Sequence, residues 1–109
     1  MTNETLETIK KRRSCRAYKP EQITDEELNA VLEAGTYAAS AMGRQSAKIV
    51  VVQDAATRAQ LTRMNAAVMG KDTDPMYAAP TILVVLADAH GNCAVQDGSL
   101  VMGNLMLAA

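Results

Sequence analysis

Apolar residues recur along the chain with two periods, and the breaks between them are short and polar. Thr2 or Asn3 can cap a first helix that carries Glu4 and Glu7 in its opening turns and Lys10 to Arg13 in its last, the arrangement the helix dipole favours. Leu6 and Ile9 give that helix a narrow apolar stripe. An extended segment follows from Arg16 to Pro20, because proline disfavours helix at the residue before it. Thr24-Asp25-Glu26-Glu27 has the form of a capping box, and Leu28, Val31, Leu32, Gly35 and Ala38-Ala39 follow at helical spacing, so a second helix is predicted to about Ala38, close-packed by small residues toward its end. Lys48 to Gln53 is a β-branched run that predicts a central strand buried on both faces. Asp54 should cap a third helix, with Leu61, Met64 and Val68 as its inward stripe.

The composition of Gly70 to Ala79 is that of a mobile loop, and Thr81 to Ala87 predicts a second buried strand. Asp88 to Asn92 turns the chain. From Ala94 to Ala109 nearly every face is apolar, so this last helix should be buried in a core or an interface, with Gly98 and Gly103 allowing another helix to approach. It carries no stop signal, which predicts that the sequence ends within or just after a helix. The order helix, helix, strand, helix, strand, helix fits an α+β or three-layer α/β fold, and 109 residues without repeats or linkers predict one domain over 1–109.

Composition narrows the choice of partners. The chain is 49% hydrophobic with no Phe, no Trp and three Tyr, so the core is aliphatic. A formal net charge of −1 argues against general nucleic-acid binding. No apolar run approaches the ~20 residues of a membrane span, and no signal peptide is evident, which predicts a cytoplasmic protein without membrane contact. Cys15 and Cys93 lack C-x-x-C spacing and are expected to be free thiols. His90 is the only histidine and lies in a turn. No nucleophilic triad and no metal-ligand cluster is present in the pattern, so no catalytic side chain and no metal site is assigned.

The charge is distributed unevenly. Lys10, Lys11, Arg12, Arg13, Arg16 and Lys19 are six of the eleven Lys and Arg residues, and the decade they occupy contains no carboxylate. So local a cluster suits a compact anion better than an extended polyanion. Forked guanidinium donors match phosphate oxygens, and the Ser14 hydroxyl can donate to the same group. A solvated basic face at a helix end accounts for the cluster equally well.

Ile9-Lys10-Lys11-Arg12-Arg13-Ser14-Cys15-Arg16-Ala17-Tyr18 resembles the N-terminal signature of flavin-dependent nitroreductases, Arg-Arg-Ser-x-Arg-x-aromatic after a helix. Ser40-Ala41-Met42-Gly43-Arg44-Gln45-Ser46 resembles the family's second signature, Pro-Ser-x-x-Asn-x-Gln-Pro-Trp before a strand. Ser40 and Gln45 fall on its serine and glutamine; Ala39, Gly43 and Ser46-Ala47 depart from it, so no aromatic role passes to Ala47. The segment from Asp97 to Ala109 resembles the family's central helix, which packs at a dimer interface.

This resemblance implies a nitroreductase-like three-layer α/β/α sandwich with a central mixed sheet, incomplete at the C-terminus, since family members are appreciably longer. It further implies FMN as cofactor, held at its phosphate and ribityl chain by Arg12, Arg13, Ser14 and Arg16. Ser40, Met42 and Gln45 would meet the flavin from the other subunit of a homodimer, and Asn65 would lie near the ring. The implied activity is an oxidoreductase that takes hydride from NAD(P)H and reduces nitroaromatic, quinone or related acceptors. A non-catalytic flavin- or nucleotide-binding interaction protein on the same scaffold is the alternative, and a helix-and-sheet fragment that assembles only as a dimer is a third reading.

Overall fold

The structure, a computed structural model, describes residues 1–109. Four helices, α1 (Glu4–Lys11), α2 (Asp25–Thr36), α3 (Ala55–Met69) and α4 (Ala94–Ala108), accompany two strands, β1 (Lys48–Val52) and β2 (Ile82–Leu86), paired in a two-stranded sheet. A single 3-10 turn, Ala41–Gly43, precedes β1. The fold class is α+β, as expected.

The helix starts are those the capping residues dictate. The Asn3 side chain accepts the Leu6 N–H, and Thr24 with Glu27 completes the capping box in both directions. Asp54 accepts both the N–H and the hydroxyl of Thr57 at 2.8 and 2.7 Å. The Thr57 hydroxyl, then its backbone N–H, hold the Asp54 carboxyl below its ordinary value of 3.8. Gly70, in the left-handed region at φ 65°, ends α3.

The chain divides into two compact units, one comprising Met1–Ser14, Thr24–Ile49 and Val85–Ala109, the other Cys15–Ile23 and Val50–Val84. In the first unit α2 packs on α4. Leu105 of α4 is buried against Gly35 of α2, where an added Cβ would stand 2.7 Å from Leu105 Cδ2 and 2.8 Å from Ile49 Cδ1. The close approach is therefore made at Gly35. The two glycines expected to serve it lie elsewhere: Gly98 faces Ala87 and Val85, and Gly103 has open space beside it. Asn104 Nδ2 donates to the Ala34 carbonyl at 2.9 Å and adds a polar tie between the helices.

In the second unit Arg58 donates to the carbonyls of Gln53 and Ala79. Arg58 lies with Leu61, Thr62 and Ala66 on the half-buried face of α3. Met64 and Val68, expected inside, are 56% and 90% exposed. The Gly70 to Ala79 loop is organised around Asp74, whose carboxylate accepts the N–H groups of Met76 and Ala78.

Burial is shallower than the hydrophobic pattern predicts. Val50 in the expected fully buried strand is 42% exposed, and Leu86 in the second is 49% exposed. α4 buries one stripe, through Asp97 and Leu105, and turns Val95, Leu100 and Met106 outward. A helix apolar on every side has more faces than a single partner helix can cover. No helix is long and apolar enough to cross a membrane.

Candidate functional site

The first signature residues sit where α1 stops. Arg12 is the C-cap of α1, its N–H bonded to the Thr8 carbonyl. The Arg13 guanidinium folds back to donate to the carbonyls of Lys10 and Arg12 at 2.7 and 2.9 Å, satisfying helix-end acceptors. Only one of its nitrogens, Nη1, is used in this way. Lys10 pairs with Glu7 at 3.5 Å, and that is the ion pair of the structure; none of the arginines takes part in one. Arg12, Arg13 and Ser14 are exposed, as is Arg16 in the extended segment that follows. In that segment the Tyr18 hydroxyl donates to the Cys15 carbonyl at 3.0 Å.

The second signature forms a loop under visible constraint. Met42, Gly43 and Gln45 all have left-handed backbones, at φ 54°, 65° and 49°. Glycine adopts this conformation freely, whereas an ordinary side chain costs about 1–2 kcal/mol there. Such strain persists only where surrounding bonds over-determine it. Here the Gln45 N–H donates to Ser40 Oγ and Gln45 Nε2 to the Thr36 carbonyl, both at 2.9 Å. The Ala41 N–H donates to Asp97 Oδ1, also at 2.9 Å. The loop is thus tied at one end to α2 and at the other to the first turn of α4. Met42 is 86% exposed.

Beneath this loop lies a recess of about 410 Å³. Its walls are small or aliphatic, Gly35, Ala38, Ala47, Ile49 and Val101 among them, and its polar groups come from Thr36, Ser40, Gln45 and Asp97. Ser40 accepts through its oxygen and Gln45 donates through Nε2, so the Ser40 hydroxyl proton and Gln45 Oε1 are not engaged in these bonds. The structure therefore brings Ser40 and Gln45 together at one opening, with Met42 on the rim loop; the arginines do not line it. Asn65 donates to the Leu61 carbonyl one turn back in α3 at 2.9 Å, the local bond typical of an exposed helical asparagine.

Asp97 lines the recess and is not among the site residues that the sequence points to. It is 7% exposed, the only buried charged-type side chain. It has a signal in the pattern: it is the one Asp, Glu, Lys or Arg in a helix that is otherwise uncharged and largely apolar. Such a residue is rarely buried without a specific partner.

Comparison with known proteins places these features in a family. The sequence profile described as "Nitroreductase family" matches residues 9–75. A protein of Archaeoglobus fulgidus, provisionally named NADH dehydrogenase/NAD(P)H nitroreductase, is 35% identical over 111 residues, covering 97% of this chain and 61% of its own length. Among solved structures, a nitroreductase with bound FMN from Bacteroides fragilis aligns at a TM-score of 0.87 with 35% identity, over 99% of this chain and 65% of the other. A nitroreductase with bound FMN from Desulfitobacterium hafniense aligns at 0.88 with 31% identity, over 100% of this chain and 65% of the other. The chain thus spans somewhat less than two thirds of the length of these relatives. Profile, relative and fold agree with the two signatures at residues 12–16 and 40–45, and the chain belongs to the nitroreductase family.

Proposed function

We propose that this chain forms part of an FMN-dependent oxidoreductase that takes hydride from NAD(P)H and reduces nitroaromatic, quinone or related acceptors. The observation that carries the reading is the exposed basic corner at the end of α1, whose arginines have no carboxylate partner, in a chain whose solved relatives include nitroreductases with bound FMN. The donor set suits that cofactor. Arg12, Arg13 and Arg16 offer forked donors and Ser14 a hydroxyl, which is what a phosphate monoester and a polyhydroxyl chain need.

In this reading Arg12, Arg13, Ser14 and Arg16 hold the phosphate and ribityl oxygens. Ser40, with its free hydroxyl proton, and Gln45, with its free Oε1, approach the flavin bound mainly by the partner subunit of a homodimer, together with Met42 on the same loop. Asn65 contributes a hydrogen bond near the ring. When bound, FMN supplies the redox chemistry between nicotinamide and acceptor, so the protein need not provide a nucleophile or general base. We further infer that the β1–β2 pair belongs to the mixed sheet of a three-layer sandwich within a single domain, and that the protein works in the cytoplasm.

A second reading, a flavin-binding protein without turnover, is favoured by one feature: the loop carries Gly43 and Ala47 where the family's asparagine and aromatic stand. The visible spectrum of the purified protein, with and without added FMN, tests both. Flavin absorbance that bleaches anaerobically with NADH or NADPH supports the enzyme. Bound flavin that stays oxidised supports the second reading, and failure to bind FMN removes both.

A further inference from the structure

The geometry points to Asp97 as the positioning residue for the Ser40–Gln45 loop, an inference that rests on the flavin reading above for its functional consequence. A carboxylate on an apolar helix could turn to solvent. Asp97 is instead 7% exposed and directs Oδ1 at the Ala41 N–H, 56 residues away in sequence. Ala41 is the residue after Ser40, and the three left-handed residues of the loop begin immediately after it. The far end of the loop is fixed by Gln45, through Ser40 Oγ and the Thr36 carbonyl. Asp97 supplies the near-end anchor.

Removing that anchor leaves a strained backbone with one restraint fewer, and the strain gives it a downhill path. Met42 and Gln45 can relax out of the left-handed region once Ala41 is free to shift. Ser40 and Gln45 would then lose the common orientation toward the recess. Side chains that contact a ligand keep their geometry only when a supporting shell locks them. The acceptor oxygen on Asp97 is what this role requires, so asparagine, whose Oδ1 can occupy the same place, should serve and alanine should not.

The test compares wild type, Asp97→Asn and Asp97→Ala in the purified protein by two measurements. The first is amide hydrogen exchange without FMN. Asp97→Ala should raise exchange at Ala41 and Gly43 by tenfold or more, about the loss of one hydrogen bond to a carboxylate, while the amides of α2 and the later turns of α4 stay protected. The second is FMN affinity with the visible circular dichroism of the bound flavin. Asp97→Ala should weaken binding on the order of tenfold and alter the dichroism, and Asp97→Asn should restore both toward wild type. Unchanged exchange at Ala41 in Asp97→Ala would overturn the inference, as would asparagine failing to rescue a variant whose helices remain protected. Should Asp97→Ala not fold, the comparison passes to Asp97→Asn and Asp97→Ser: the inference requires Asn to match wild type and Ser to expose Ala41. Wild type that fails to bind FMN but shows the exchange pattern would sink the flavin reading and leave the anchor standing.

Discussion

The basic corner at residues 10–19 and the Ser40–Gln45 loop both gather polar side chains in one short stretch, yet they hold them in different ways. In the corner the groups are exposed and their bonds are local: Arg13 reaches carbonyls one and three residues away, and the arginines have no acidic partner. In the loop Ser40 binds the Gln45 N–H, and the loop as a whole is tied outward to two elements, to α2 by Gln45 Nε2 on the Thr36 carbonyl and to α4 by the Ala41 N–H on Asp97. The protein leaves the side chains of the corner exposed, while it holds the loop from two sides. Substitutions should therefore separate, with corner variants losing binding and frame variants losing stability first.

The frame gives the largest effect. Leu105 is 3% exposed and fills the contact with Gly35 that holds α2 to α4. Leu105→Ala should cost about 2–5 kcal/mol of folding stability, the range for deleting a buried leucine side chain, measured by denaturant unfolding. A loss below about 1 kcal/mol would mean that the loop's frame is not the α2–α4 contact, and the contrast between the two regions would fail.

The corner should behave in the opposite manner. Arg16→Ala is expected to weaken FMN binding by about 1.5–3 kcal/mol, as for a hydrogen bond to a charged group, and to move stability by no more than about 0.5 kcal/mol, as for an exposed site. Fluorescence titration with FMN and an unfolding curve of the flavin-free protein read the two quantities separately. Equal losses in both would assign Arg16 to the structure and leave the corner without a ligand role.

The two regions also differ in how far sequence reveals them. Local rules suffice for the helix starts: Asn3, Thr24 with Glu27, and Asp54 each cap the helix they announce. The corner is equally legible, because a run of like charges without carboxylates is a one-dimensional signal. Periodicity fails on α3, whose half-buried face carries Arg58, bonded to the distant Ala79 carbonyl, while Met64 and Val68 of the expected stripe are exposed. The helix contact is half legible: the small residues toward the end of α2 announce close packing, and Gly35 makes it, whereas Gly98 and Gly103 of α4 do not supply the matching approach. Asp97 is the same problem at the site itself. Its lone charge on α4 marks it as needing a partner, but that partner is a backbone N–H 56 residues earlier, which no spacing identifies.

The smallest effect probes the strain in the loop and the direction in which it acts. Met42 is left-handed at φ 54° and 86% exposed, with its sulfur only at 3.5 Å from the Arg44 guanidinium, so its side chain returns little for the conformation it imposes. Met42→Gly removes a backbone cost of about 1–2 kcal/mol and adds about 0.5–1 kcal/mol of unfolded-chain entropy. The net expectation is a gain of between zero and about 1.5 kcal/mol in unfolding stability. If the loop geometry is set by the Asp97 and Gln45 bonds, glycine will keep that conformation and FMN affinity will change less than for Arg16→Ala. If stability falls instead, the Met42 side chain holds the loop from its outer face, and the restraint assigned to α2 and α4 would have to be shared with it. Combining Met42→Gly with Asp97→Ala distinguishes the two cases, since relieving the strain at residue 42 should lessen what the loss of the Ala41 anchor does to the loop.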